Sequence, residues 1–321
     1  MQKKLSFVIP CYRSSATIMQ VVNDIITTVT ANNNYTYEII LVNDCSPDDN
    51  ATWQCLRCLA EENPAVKAIN FSKNSGQHAA LLAGYRYATG SYVISLDDDG
   101  QTDPRFCFDL IAKLEQEDLD IVFAAYPEKQ HAWYRNIGTL LNNTMASYLI
   151  GRPKSLSLTS YFVCRSFIIE ELCRYQGPFP YIDGLLLRSS SRIGSVSVPH
   201  HTRQEGSSGY TFSKLLGLWL NGFTAFSIKP LRIATLAGFA CACFGFLFGL
   251  YVIIQRFVIT DYVAGYSSLM AVIIFVGGML MIMLGLVGEY IGRIYISINN
   301  SPQYVVRETV NTETTDNTQF R

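Results

Sequence analysis

Short apolar runs alternate along the first part of the chain with longer stretches of helical spacing. Leu5–Pro10 (LSFVIP) is a compact apolar run that ends on proline, the pattern of a buried strand. Glu38–Val42, Val66–Phe71, Tyr92–Leu96 and Asp120–Ala124 repeat that pattern. Between them, Thr17–Val29, Trp53–Ala60 and Gln77–Ala88 have helical periodicity, and Gly90 is placed to stop the last of these. Pro104–Glu115 opens with proline in its first turn, where a backbone N–H would have no intrahelical partner anyway. Strands alternating with helices predict a mainly parallel, doubly wound α/β sheet. The N-terminal MQKKLSFVIP has no cleavage signal and reads as the first strand, not as a leader.

The pattern changes further on. Trp133, Ile137, Leu140, Leu141, Met145, Tyr148 and Leu149 fall on one face of a helix, as do Phe212, Leu215, Leu216, Trp219, Phe223 and Phe226. The first stripe fits a helix on the core or on a membrane surface. The second runs into an apolar stretch and predicts an interfacial helix. Leu231–Ile254 and Leu269–Ile291 are each long enough to cross a bilayer, which takes about 20 residues. Lys229, Arg232, Arg293 and Arg307 flank the pair, whereas the intervening loop has Arg256 as its basic residue, with Asp261. That bias places both chain ends and the large domain in the cytoplasm. The expected organisation is a domain over 1–210, an interfacial helix over 211–229, a transmembrane hairpin over 230–298 and a cytoplasmic tail over 299–321. The tail is polar from about Glu308, which predicts disorder there.

Composition sharpens this division. Charged residues make up 16% of the 321 positions, against about 25% in ordinary soluble domains, and the deficit lies in Pro230–Ile298. The net charge of −1 excludes the basic excess of a nucleic-acid binder. Nine cysteines are scattered, and Cys55-Leu-Arg-Cys58 lacks the second Cys/His pair that a zinc site needs, so they read as thiols in a reducing compartment.

Ligands of such sheets bind beyond the carboxyl ends of the strands. Those ends carry Pro10-Cys11-Tyr12, Asn43-Asp44, Ser72-Lys73-Asn74 and Asp97-Asp98-Asp99. Three adjacent carboxylates repel one another unless a cation neutralises them, and oxygen ligands suit Mg2+ or Mn2+. In an extended segment Asp97 and Asp99 point the same way and can share one ion, with Asp98 facing elsewhere. An ion held there would bind a diphosphate. The chain has no GxxxxGK[ST] loop and no GxGxxG after its first strand, which excludes a P-loop nucleotidase and a dinucleotide cofactor.

VIPCYR, EIILVNDCSPDD, NFSKNSGQHAALLAGYRYATG and SLDDDGQTDP resemble successive motifs of family 2 glycosyltransferases of the GT-A (Rossmann-like) fold. GEYIGRIY and SPQYVV resemble the branch that acts on polyprenyl phosphates, which includes bactoprenol glucosyltransferases, dolichyl-phosphate mannose synthase and undecaprenyl-phosphate aminoarabinose transferase. The resemblance spans about Leu5 to Arg307. It implies that Pro10, Tyr12, Asp44, Asn74 and Gly76 hold the nucleoside, with Asp98 beside them. It implies that Asp97, Asp99 and Gln101 bind Mg2+ or Mn2+ and the diphosphate. His200-His201-Thr202-Arg203 and Gly206-Ser207-Ser208-Gly209-Tyr210 resemble the family's loop over the diphosphate, in which Arg203 would offer forked donors to phosphate, with Ser208 and Tyr210 on the nucleotide. Arg13-Ser14-Ser15 depart from the usual Asn and Glu after the first motif's tyrosine. Thr159-Ser160-Tyr161 stand where several relatives carry an aspartate assigned as a base. A lipid phosphate is mostly ionised at neutral pH, its second pKa being about 6, so it needs little help from a base.

The resemblance thus implies an inverting transfer of one sugar from a nucleotide sugar, a UDP-sugar, to undecaprenyl phosphate at the cytoplasmic face of a bacterial inner membrane. Arg135, Arg188 and Lys214 are candidates for attracting the lipid head group. Oligomers occur in the family, a homotetramer among them. A processive polysaccharide synthase on the same fold is the rival enzyme reading, although the chain has no QxxRW motif. A non-catalytic membrane scaffold or flippase component is the reading from another class.

Overall fold

Strand β1 (Lys3–Cys11) is buried from Leu5 onward on both faces, because it runs through the middle of the sheet. The computed structural model describes residues 2–126, 156, 158–178, 180–199, 229–258, 265–299 and 302–312. Leu5, Phe7 and Ile9 point into one apolar layer and Val8 into the other, the period-2 alternation of a strand covered on both sides. Helix α1 (Ile18–Thr30) covers the first layer with Ile18, Val21, Val22, Ile25 and Val29, the spacing that put one apolar face on it in sequence. Strand β2 (Tyr35–Asn43), α2 (Ala51–Glu62), β3 (Val66–Phe71), α3 (Gln77–Tyr85) and β4 (Tyr92–Ser95) follow in the predicted order. Next come a single 3-10 turn at Pro104–Phe106, α4 (Cys107–Gln116) and β5 (Ile121–Ala125). Asp103 caps that turn by accepting the Arg105 N–H, so the proline sits where the sequence placed it.

With β6 (Phe162–Arg165), β7 (Ile193–Ser197) and β8 (Val306–Val310), the sheet order is β7-β5-β6-β4-β1-β2-β3-β8. Strands β3, β2, β1 and β4 are parallel neighbours, as expected. The expectation of an ordinary doubly wound sheet needs correction beyond them. Strand β6 (Phe162–Arg165) inserts between β4 and β5 and runs antiparallel to both. Helices α5 (Ser166–Cys173) and α6 (Ile182–Ser189) follow, and β7 (Ile193–Ser197) pairs parallel to β5. FVCR is too short a run to announce a strand, and the half-buried β7 has no clear alternation.

The chain divides into two compact units, Met1–Ser208 with Asn300–Arg321, and Gly209–Asn299. The second contains α7 (Lys229–Val258) and α8 (Tyr266–Ile298). Large apolar side chains such as Phe239, Phe246, Phe275, Met281 and Ile282 are exposed there. Phe275–Ile298, 24 residues of mean hydropathy 1.7, is long and apolar enough to cross a membrane, whereas the apolar stretch Ala234–Phe248 in α7 is shorter than a span. The two amphipathic stripes around Trp133–Leu149 and Phe212–Phe226 lie outside the described residues.

Past the hairpin the chain returns to the first unit. Strand β8 (Val306–Val310) pairs antiparallel with β3, so disorder from Glu308 is corrected to order as far as Thr312. The physical reason is the bare edge of β3, whose backbone donors and acceptors β8 satisfies. Tyr304 stacks on Phe71 with centroids 4.9 Å apart and accepts from Arg86 at 2.7 Å. Gln303 donates to the carbonyls of Tyr175 and Gly177 at 3.0 and 2.6 Å.

Candidate functional site

Because β4, β1, β2 and β3 are parallel neighbours, their carboxyl ends open on one edge. A cleft of about 490 Å3 lies there, lined by Pro10, Cys11, Tyr12, Asp44, Asn74, Gly76, Gln77, Asp97, Asp98, Asp99 and Ser160. Residues from all four expected strand ends therefore line it, although Asn43, Ser72 and Lys73 of those ends do not. Gln101 does not line the cleft; its backbone N–H donates to Asp99 Oδ1 at 3.1 Å. Arg203, Ser208 and Tyr210 lie outside the described residues. So do His200 and the two basic residues Arg135 and Lys214, while Arg188 sits in the last turn of α6.

Asp44 ties the end of β2 to the loop after β3. Its carboxylate accepts the N–H groups of Ser75 at 2.7 Å and Gly76 at 2.8 Å, and its carbonyl accepts from Asn74 Nδ2 at 3.3 Å. Gly76 sits at φ +89, a conformation other residues rarely adopt, and from it α3 begins. Burial pushes the Asp44 carboxyl up from its usual range, while the two backbone donors pull it back.

The acidic turn departs from the extended geometry expected of it. Strand β4 ends at Ser95, and Asp98 and Asp99 form a turn that leaves through Gly100 at φ +69. All three aspartates still line the cleft. Asp97 Oδ2 accepts from Ser160 Oγ, and Asp97 Oδ1 accepts from Gln77 Nε2 at 3.2 Å. Burial, with the charges of Asp99 and Asp98 beside it, raises Asp97 to about 6 against the opposing pull of those donors. Asp98 Oδ2 accepts from the Tyr12 N–H at 3.1 Å and from Ser14 Oγ. Burial also raises Asp98.

This donor set fits a hard divalent cation. A cation would relieve carboxylates that burial and mutual repulsion hold above their usual range. Among the described residues no group of three acid, His or Cys side chains is arranged to enclose a metal alone.

Several side chains of the site carry little sequence signal. Ser14 donates its N–H to Thr52 Oγ1 at 3.0 Å, and Arg13 donates its N–H to Ser46 Oγ at 3.0 Å. Ser46 donates in turn to Asn43 Oδ1 at 2.6 Å, and Thr52 donates to Asp48. Ser160, where the sequence lacks the family's aspartate, instead supplies a hydroxyl to Asp97. Gln77 could have been found from its place directly after Gly76, at the head of α3.

A model of glycosyl transferase family 2 matches residues 6–173, and a model of the GtrB C-terminal hairpin matches residues 229–294. The chain is 31% identical over 309 residues to undecaprenyl-phosphate 4-deoxy-4-formamido-L-arabinose transferase of Proteus mirabilis (strain HI4320), over 96% of this chain and 94% of that one. Among solved structures it resembles Mycobacterium tuberculosis glucosyl-3-phosphoglycerate synthase in complex with Mn2+, uridine diphosphate and phosphoglyceric acid. The TM-score is 0.52 at 16% identity, over 71% of this chain and 78% of that one, a likeness of fold.

Proposed function

The chain belongs to glycosyl transferase family 2 and carries the GtrB C-terminal hairpin, and from that premise we propose that it moves a single sugar from a UDP-sugar to a polyprenyl phosphate. The observation that carries this reading is the cleft itself. Residues of the nucleoside motifs (Pro10, Tyr12, Asp44, Asn74, Gly76) and the acidic turn line one cavity, in a chain that also has a long apolar helix. The Proteus mirabilis relative, named for an undecaprenyl-phosphate acceptor, supports a lipid phosphate here. The uridine diphosphate and Mn2+ of the mycobacterial complex are compatible with a UDP donor and a divalent ion.

In this reading Asp97 and Asp99 would hold Mg2+ or Mn2+, with Gln101 assisting through its backbone N–H on the Asp99 carboxylate. A bound ion would stabilise the negative charge that gathers on the departing diphosphate. Ser160 and Gln77 orient the Asp97 carboxylate, and the Asp44 bonds hold the loop of Asn74 and Gly76 against the nucleoside. Arg203 adds donors to the diphosphate, with Ser208 and Tyr210 on the nucleotide. The acceptor phosphate is already ionised and attacks in line, so the anomeric centre inverts and Ser160 need not act as a base. The apolar C-terminal hairpin would anchor the enzyme to the bilayer in which its acceptor lies. The bias of flanking basic residues supports a cytoplasmic catalytic domain in a bacterial inner membrane.

The test is incubation of membranes with labelled UDP-sugars and undecaprenyl phosphate, then extraction of lipid. Label in a polyprenyl monophosphate, lost in Asp99→Ala while that variant still inserts, is the expected result. Label in polymer would favour a processive synthase, and no incorporation with any donor a non-catalytic scaffold.

A further inference from the structure

Asp98 is the member of the acidic turn that faces the nucleoside loop. Three bonds join it to the segment after β1. Its Oδ2 accepts from the Tyr12 N–H at 3.1 Å and from Ser14 Oγ, and its carbonyl accepts from Thr17 Oγ1 at 2.6 Å. The same loop is held from the other side by the Arg13 and Ser14 N–H groups on Ser46 and Thr52. It needs such holding, because Arg13 sits at φ +59. A non-glycine residue there is strained and persists only where its surroundings over-determine it.

We propose that Asp98 is a positioning residue: by hydrogen bonding it clamps the Tyr12 loop to the acidic turn, so that the nucleoside platform and the Asp97 and Asp99 carboxylates are held in one register. The proposal rests on the nucleotide-sugar reading above and gives that site a part the motif resemblance leaves open. Its chemical content is that Asp98 works as an acceptor and not as a charge. Asparagine keeps an oxygen of the same reach and loses the charge; alanine loses both.

The experiment uses the full-length protein in lipid nanodiscs, with UDP as the probe in the presence of Mn2+. Loss of two hydrogen bonds to a carboxylate predicts that Asp98→Ala weakens UDP binding and raises donor KM about tenfold or more, with kcat changed less. Asp98→Asn restores most of that loss, and Ser14→Ala, which deletes one of the two bonds, falls between. A second readout needs no nucleotide. Trypsin cuts after the exposed Arg13 about tenfold faster in Asp98→Ala than in the native chain, and Asp98→Asn slows it again. If Asp98→Asn is as poor as Asp98→Ala in UDP binding and proteolysis alike, or if Asp98→Ala matches the native chain in both, the clamp is wrong. If the native protein does not bind UDP while the tryptic pattern holds, the donor reading fails and the clamp stands.

Discussion

Glu38 is buried to 2% exposure in the middle of β2, and its carboxylate is fully engaged. Lys67 reaches it at 2.9 Å and Lys4 at 2.8 Å, Ser6 Oγ donates at 2.6 Å, and the Thr89 N–H donates at 2.6 Å. Burial alone would raise its pKa; the donors outweigh it and bring the group to about 2, below the ordinary 4.5. The folded state therefore holds the charged form more tightly than the unfolded chain does. That stability is complete above about pH 4.5 and is lost as pH falls towards 2. Glu38→Gln should cost about 1–3 kcal/mol at pH 7, since it leaves the Lys67 ammonium with no countercharge. The gap in melting temperature between variant and native chain should narrow below about pH 4.5 and close as pH falls to about 2; a gap independent of pH would refute the assignment. Ser160 offers a second case. If its hydroxyl orients Asp97 for the ion, Ser160→Ala should weaken Mn2+ binding about tenfold, as removal of such outer partners does. Mn2+ titration followed by paramagnetic relaxation would read it, and unchanged affinity would leave Ser160 a bystander.

Helix α3 shows what an element needs beyond its pattern. Gly84 lies against β1 so closely that a Cβ would meet Val8 Cγ1 at 2.5 Å and Val42 Cγ2 at 3.2 Å. Gly84→Ala gains helix propensity yet should destabilise the fold by about 1–3 kcal/mol through overpacking, read as a lower chemical-denaturation midpoint. Stabilisation would mean that β1 yields. The helix itself was legible although it is buried without a break from Ala79 to Tyr85, and so were the four parallel strands, because each is a continuous apolar run whose polar residues begin where the strand stops. Strand β8 was not. VRETV shows little apolar pattern, and its order depends on an edge of β3 more than 230 positions earlier, as the Asn70–Glu308 bond at 3.2 Å records. The Ser14–Asp98 bond was hidden for the same reason: neither residue type names its partner. What could be read was which chemistry gathers at the sheet edge; what could not was which hydroxyl holds which carboxylate. Tyr304→Ala tests the returning segment. It removes the stack of this half-buried ring on Phe71 and the acceptor for Arg86 and should cost about 2–3 kcal/mol, less than truncation of a fully buried aromatic, read as a lower chemical-denaturation midpoint.

At the scale of the whole chain, β8 lies after the hairpin in sequence but pairs with β3 before it. A chain that leaves one folded unit and returns to it crosses a bilayer an even number of times. Phe275–Ile298 meets the length and apolarity of a span, and a single crossing would put β8 and β3 on opposite sides. Were Phe275–Ile298 to cross, the second passage would fall to the 30 residues of α7, whose apolar stretch Ala234–Phe248 is shorter than a span. Lys229 and Arg232 lie at the start of α7, and the intervening loop contains Asp261. Intact cells treated with a charged, membrane-impermeant maleimide therefore separate the arrangements. Asp261→Cys should label from outside, while Cys58, exposed on α2, should label only after permeabilisation, and the native chain should stay dark in intact cells. If Asp261→Cys is shielded until the membrane is opened, α7 does not cross and the hairpin lies along one face. If Cys58 labels in intact cells, the catalytic unit faces outward, away from cytoplasmic nucleotide sugars, and the donor assignment falls with the topology.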